Sequence, residues 1–229
     1  MTEPEAVSAL RAAAAGWGLS LGPQQIAQIG SYVGELLAAN RKTNLISDAA
    51  PEVVLLRHVA DGLAAAGLLI KEVRRPSPRI LDLGAGGGCI GMAIKIAWPQ
   101  AQVTLMESLE RKFRFLNGMA VRSGLPGLTV ALRRAGEGRV PEEGFDAVVA
   151  RALAPLPRAL ELALPLIGPE GLVLIFQSAA PDPEDQGLRR VLERRAAALM
   201  KCIPYRLPQE SRDRCLSLFG LKKRANGLN

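Results

Sequence analysis

The chain has 229 residues, 48% of them apolar, which allows one full α/β domain with a real core plus a small appendage rather than two equal domains. Its 29 Lys and Arg against 22 Asp and Glu give a formal charge of +7, a balance that favours an anionic macromolecular partner, nucleic acid first among them. Cys89, Cys202 and Cys215 are odd in number, widely spaced and without a C-x-x-C pair, so neither a disulfide framework nor a zinc site is expected, and the compartment reads as reducing.

In chain order, the N-terminus Met-Thr-Glu-Pro-Glu is acidic where a signal peptide is basic. No apolar run reaches the about 18 residues of a membrane span, so a cytoplasmic chain with no membrane association is expected. Residues 5–15 are alanine-rich and stop at Gly16-Trp17-Gly18, the pattern of a first helix. Ile26, Ile29, Val33, Leu36 and Leu37 recur at helical spacing between Pro23 and Asn40, and Pro51 opens a third helix with the stripe Val53, Val54, Leu56, Val59 and Leu63. Arg74-Arg75-Pro76-Ser77-Pro78 reads as a linker, which divides the chain into a helical region, residues 1–75, and a second region, 76–229.

Beyond the linker, strands and helices alternate. Strands are predicted at 80–83, 103–107, 128–132, 146–150 and 172–176, and helices at 90–98, 110–122, 156–167 and 184–200. Short apolar strands separated by helices predict a mostly parallel sheet covered on both faces. Residues 203–207 and 215–219 read as two further strands with no helix between them, so the sheet is expected to end in an antiparallel hairpin.

The organising stretch is Arg79-Ile80-Leu81-Asp82-Leu83-Gly84-Ala85-Gly86-Gly87-Gly88-Cys89-Ile90-Gly91, a strand, a glycine loop and the start of a buried helix. Glycines let the backbone take positive φ and approach a ligand, and the free amides of the next helix face polar or anionic ligand atoms. Two registers fit. Gly86 to Gly91 matches G-x-G-x-x-G, the dinucleotide fingerprint, whereas Asp82 to Gly88 matches the D-x-G-x-G-x-G loop that resembles S-adenosylmethionine-dependent methyltransferases. Glu107, at the end of the next strand, supplies the acid that ribose hydroxyls need in either register. The position of Gly84 directly at the strand end and the closing hairpin favour the methyltransferase register, with Gly84 and Gly86 as cofactor residues. A nicotinamide-binding oxidoreductase is the alternative from another class.

Further motifs resemble one family, the bacterial small-subunit ribosomal RNA methyltransferase G family (RsmG, also called GidB). Asn44-Leu45-Ile46-Ser47 is similar to the family's N-L-T-S, and Arg57-His58-Val59-Ala60-Asp61-Gly62-Leu63 to R-H-x-x-D-S-L. The likeness continues through the glycine loop, Glu107-Ser108 with Lys112, Arg134-Ala135 and Phe145 to Ala152, and ends at Asp213-Arg214-Cys215-Leu216 to Lys222. It implies a Rossmann-like methyltransferase domain behind an N-terminal helical region, with S-adenosylmethionine as cofactor. The implied reaction is methyl transfer to guanine N7 in 16S ribosomal RNA, free or in the small-subunit particle, in the cytoplasm. It also implies cofactor contacts at Gly84, Cys89, Ala135, Gly136 and Arg151. The chain departs from the family at Gly88-Cys89-Ile90-Gly91, where a proline is usual, at Glu107 for Asp, and at Gly136 within Arg134-Ala135-Gly136-Glu137.

Guanine N7 has an in-plane lone pair and attacks a sulfonium methyl without losing a proton, so no general base, nucleophile or metal is expected. Arg57 and His58 are assigned to substrate placement, and Arg151, at the carboxyl end of a strand, to the cofactor or the base. The chain's one histidine has Asp61 three residues on, on the same helix face. Basic residues gather at 111–114, at 133–134, at 189–195 and at 222–224, and aromatics make up only 4% of the chain. Recognition of folded RNA or a ribosomal particle therefore fits better than stacking on a free single strand. The other readings are methylation of a small molecule or protein, and RNA binding without catalysis.

Overall fold

The computed structural model describes residues 2–137 and 143–222. Helix α1 (Glu3–Gly16) starts in a capping box, in which Thr2 accepts from the Glu5 amide while the Glu5 carboxylate accepts from the Thr2 amide. Helix α2 (Pro23–Thr43) follows, and then a continuous helix over 51–72. That helix begins as α3 (Pro51–Val53), runs through a π-helical segment (Val54–Val59) and ends as α4 (Ala60–Glu72). Wide π turns of this kind recur at functional sites, and this one carries Arg57 and His58.

This helix corrects one expectation. At 22 residues, with a mean hydropathy of 1.7 over its most apolar window, it is long and apolar enough to cross a membrane, yet 72% of that window is buried inside the fold. Its apolarity is that of a core helix. Residues 60–69 are buried on every side, and α4 lies so close to helix α5 (Cys89–Ala97) that a Cβ on Gly62 would sit 2.6 Å from the Ala93 Cβ.

Seven strands form one sheet: β1 (Arg79–Leu83), β2 (Gln102–Glu107), β3 (Leu128–Leu132), β4 (Phe145–Ala150), β5 (Ile167–Gln177), β6 (Ala197–Tyr205) and β7 (Arg214–Leu221). Their spatial order is β3-β2-β1-β4-β5-β7-β6, with β7 antiparallel to both neighbours and every other pairing parallel. The remaining helices are α6 (Glu110–Ser123), α7 (Leu156–Ala163) and α8 (Gln186–Arg194). One apolar core joins α1, α2, the 51–72 helix and α5 to one face of the sheet through residues such as Leu10, Leu36, Leu63, Ile94 and Leu105. A second core packs Leu160 and Leu188 of α7 and α8 on the other face, against Leu81, Val148 and Val173. Strand order reverses between β1 and β4, so the crevice beyond their carboxyl ends is where ligands of open α/β sheets bind.

The closing antiparallel hairpin is as expected, but β6 begins at Ala197, inside the stretch read as helix 184–200. Helix α8 ends at Arg194, and pairing with β7 overrides the helical propensity of the alanines that follow. Helix α7 is likewise shorter than expected, giving way to a 3-10 turn at Leu164–Leu166 and an early start of β5. The cysteines also differ from expectation. Cys202 and Cys215 are joined as a disulfide across the β6–β7 hairpin, leaving Cys89 free and buried.

Candidate functional site

The loop after β1 turns on glycines at positive φ, Gly84 at +79°, Gly86 at +60° and Gly88 at +88°. Its backbone is tied down from below. The amides of Gly84 and Ala85 donate to the Met106 carbonyl at 3.0 and 2.9 Å, and the Gly86 amide donates to Glu107 Oε2 at 2.9 Å. Asp82, 2% exposed, accepts from the Gly91 amide at 2.8 Å and so serves an otherwise unpaired donor in the first turn of α5. Burial pushes its carboxyl up to about 6, against the lowering effect of that amide.

Above the loop lies a cavity of about 620 Å³, within the usual size of small-molecule sites. Gly84, Gly86, Cys89 and Asp82 line it from the sheet, Arg57, His58 and Asp61 from the 51–72 helix, and Arg151 from the end of β4. Arg214 of β7, Lys112 of α6 and Asp48 add to its charged lining.

Asp61 organises the wall. It is fully buried and accepts from the Tyr205 hydroxyl at 2.6 Å and from Arg151 Nη1 at 2.7 Å, with Arg214 Nη1 at 3.6 Å. Arg214 also donates to both carboxylate oxygens of Glu210, at 2.8 and 2.6 Å, and Arg57 Nε lies 3.7 Å from the same carboxylate. Burial, and then the Asp61 charge, push the Tyr205 hydroxyl far above its ordinary range, so it stays a donor. The hydrogen bond to Glu210 likewise holds the Arg214 guanidinium protonated. Burial and the neighbouring Arg151 charge lower His58 to about 4, so its ring is neutral at pH 7. Its Nδ1 is buried with no hydrogen-bond partner among the described residues, an orphan of the kind that a bound ligand or ordered water completes.

Sequence-expected residues thus divide. Gly84, Gly86, Cys89, Arg57, His58 and Arg151 share one cavity. Cys89 is engaged elsewhere as well, since the Tyr32 hydroxyl of α2 reaches its sulfur at 3.2 Å and the Gly87 carbonyl at 2.9 Å. Glu107 lies beneath the loop, where Oε1 accepts from the Ser108 and Leu109 amides while Oε2 holds Gly86. Ala135 and Gly136 line a neighbouring groove with Met106. Tyr205 and Arg214 are site residues that sequence reasoning missed. Only the resemblance at Asp213-Arg214 touched either of them, and it gave no role.

The fold and the site together define a methyltransferase of the Rossmann-like class. The magnesium protoporphyrin IX methyltransferase of Synechocystis PCC 6803, solved with bound S-adenosylmethionine, superposes with a TM-score of 0.59 at 12% identity, covering 83% of this chain and 97% of that one. The Bacillus subtilis tRNA methyltransferase TrmK gives 0.52 at 14% identity over 73% and 67% of the two chains. Sequence narrows the class. The family model described as rRNA small subunit methyltransferase G matches residues 25–203. Proteins named ribosomal RNA small subunit methyltransferase G are 36% identical in Sorangium cellulosum, over 89% of this chain and 84% of theirs, and 32% in Bacillus pumilus, over 90% and 86%. The chain belongs to the rRNA small subunit methyltransferase G family.

Proposed function

We propose that this chain transfers the methyl group of S-adenosylmethionine to N7 of a guanosine in 16S ribosomal RNA, free or in the small-subunit particle, in the cytoplasm. The observation that carries the reading is the meeting, in one cavity, of a glycine loop with arginines held by a buried carboxylate.

The residues present fit the cofactor. Gly86, at φ +60°, has only a backbone oxygen 3.9 Å from where a Cβ would stand, so the loop offers bare backbone to a ligand. Acidic Asp82 and basic Lys112 and Arg151 line the same space, which suits an amino acid end that carries both signs. A carboxylate has about four lone-pair sites. Glu107 uses three of them on amides, and the remaining one is left for a ribose hydroxyl. When bound, the cofactor supplies an electrophilic methyl on a sulfonium.

The chain's own residues orient rather than react. Guanine N7 needs no deprotonation, so catalysis rests on alignment and exclusion of water. Arg151, fixed by Asp61, turns its remaining N–H groups toward the cofactor carboxylate or the base, and Arg57 with neutral His58 holds the nucleotide from the π-helical turn. On this reading the helical region 1–75 supplies the substrate side of the site, and residues 76–229 the cofactor side. Ala135 and Gly136 are proposed for the far end of the cofactor. Labelled cofactor incubated with small-subunit particles lacking the methyl group should place label only on guanosine N7 of the 16S RNA. Label confined to protein or small metabolites would overturn the proposal.

A further inference from the structure

A second charged opening lies outside the cavity. The connection from β3 to β4 contains no helix among its described residues, 133–137 and 143–144, whereas β4 and β5 are each followed by a helix on that face of the sheet. Beside these residues runs the groove of about 420 Å³ that Ala135 and Gly136 also line, with Met106 and Leu166 in its apolar lining; on the reading above, the far end of the cofactor takes the part at Ala135 and Gly136 and leaves the charged rim to another ligand. Its rim carries Arg133 and Arg134 from the end of β3, Arg158 from α7, and Arg194 and Arg195 from the end of α8.

Two basic clusters far apart in sequence, at 133–134 and 194–195, thus converge on one rim. Among the described residues, two carboxylates answer these five guanidiniums there. Glu161 accepts from both Arg158 and Arg194, and Glu137 lies 3.6 Å from Arg134. Arg133 donates to a backbone carbonyl, that of Glu137, and Arg195 has no carboxylate partner among the described residues. The pairs that exist are open to water, with Arg158 and Arg194 side chains 61% and 59% exposed, so they exchange at little cost for another anion. A rim with this excess of forked, always-charged donors matches phosphodiester oxygens, which Arg binds bidentately. A protein partner is the competing occupant, and the excess of one sign of charge on the rim favours a polyanion over it.

We infer that this arginine-rimmed groove is a second docking surface for the RNA, gripping the phosphate backbone of the substrate at a distance from the methylated base. The inference rests on ribosomal RNA being the substrate. It divides labour between two surfaces: the cavity reads the nucleotide, and the groove sets where the folded RNA lies.

The test compares the wild-type chain with R158Q/R194Q/R195Q, three residues that do not line the cavity, and with the charge-keeping R158K/R194K/R195K. Filter binding of 16S RNA at several salt concentrations is measured beside methylation of undermethylated small-subunit particles and binding of S-adenosylhomocysteine. The Gln variant should bind RNA about tenfold more weakly at physiological salt. Its slope of log affinity against log salt should be shallower by about 2, since each lost phosphate contact removes about 0.7–0.9. Cofactor-product affinity and melting temperature should stay unchanged, KM for particles should rise while kcat holds, and the Lys variant should recover most of the salt slope. Unchanged RNA affinity and slope would overturn the inference. So would a raised KM with an unchanged slope, because that would mark a contact to ribosomal protein rather than phosphate. If the triple variant melts early, R195Q alone, which breaks no ion pair among the described residues, should still lower the slope by nearly one. A wild type that binds RNA through the groove yet transfers no methyl would sink the proposed reaction and leave the groove standing.

Discussion

Replacing Asp61 by Asn keeps the shape of the side chain and removes its charge. The carboxylate is fully buried and answers Tyr205 and Arg151 by hydrogen bonds, with the Arg214 guanidinium close by. In the variant an amide N–H group faces donors, and Arg151 loses its counter-charge while Arg214 keeps that of Glu210. Breaking a buried pair by removing one partner costs about 3–5 kcal/mol. The two arginine side chains are 24% and 23% exposed, so water screens part of the loss and the low end, about 3 kcal/mol, is expected. For a chain of this size, each kcal/mol moves the melting temperature by about 2–4 °C, so D61N should melt about 6–12 °C lower. Thermal melts of D61N, Y205F and the double variant give the coupling, which should exceed about 0.5 kcal/mol because the residues share one network. Methyl transfer should fall at least about tenfold, from a misplaced Arg151. A drop below about 2 °C, or additive single variants, would refute the view that Asp61 holds the wall together.

His58 should give the protein an acid-side instability. Its folded pKa of about 4 lies below the ordinary 6.5, so its contribution is whole above pH 6.5 and is lost as pH falls toward 4. His58→Gln should therefore flatten melting temperature against pH in that window, and an unchanged slope would refute this. Asp82 acts in the opposite sense, since its folded value of about 6 lies above the ordinary 3.8. Its contribution is whole below pH 3.8 and lost as pH rises through 6, so D82N should be relatively more stable above pH 6, read by the same melts. Glu107→Gln turns an acceptor into a donor beneath the Gly86 amide and should weaken S-adenosylhomocysteine binding about tenfold by calorimetry. Gly62→Ala places a methyl 2.6 Å from the Ala93 Cβ and 2.9 Å from the Ile90 carbonyl oxygen. It should cost about 1–3 kcal/mol in denaturant melts, with part recovered in G62A/A93G.

The sheet and its glycine loop were legible because their signals are local. Short apolar runs such as Ile80 to Leu83 and Ala147 to Ala150 carry strands buried on both faces, and the glycines that follow β1 mark its turn directly. Ala197 to Met200 misleads because alanine after an amphipathic helix reads as more helix, and only the partner strand β7 decides otherwise. The site was legible in its glycines and in Arg151, and illegible in its wall. Asp61 meets Arg151, Tyr205 and Arg214 across 90 to about 150 residues of chain, a separation that no periodicity or spacing rule spans. Cys202 and Cys215 failed for a similar reason, since only the register of the hairpin brings them together. Glu107 was legible as the acid at a strand end, expected to meet ribose hydroxyls, whereas its hold on the Gly86, Ser108 and Leu109 amides depends on how the loop folds back over it and has no signal in the sequence.

The strand order ties the candidate pocket to the far end of the sheet. Because β7 lies between β5 and β6, the last strand of the described chain is what joins β6 to the rest of the sheet. Arg214 opens β7 and Tyr205 ends β6, so both reach Asp61 through the β6–β7 pairing. The pocket wall therefore rests on non-local pairing at the C-terminal end of the described chain, contacts of the kind that close large loops. Without β7 the β5 edge would lie open and Asp61 would lose Arg214 as a neighbour, so a wall of the candidate pocket depends on the strand farthest along the described chain.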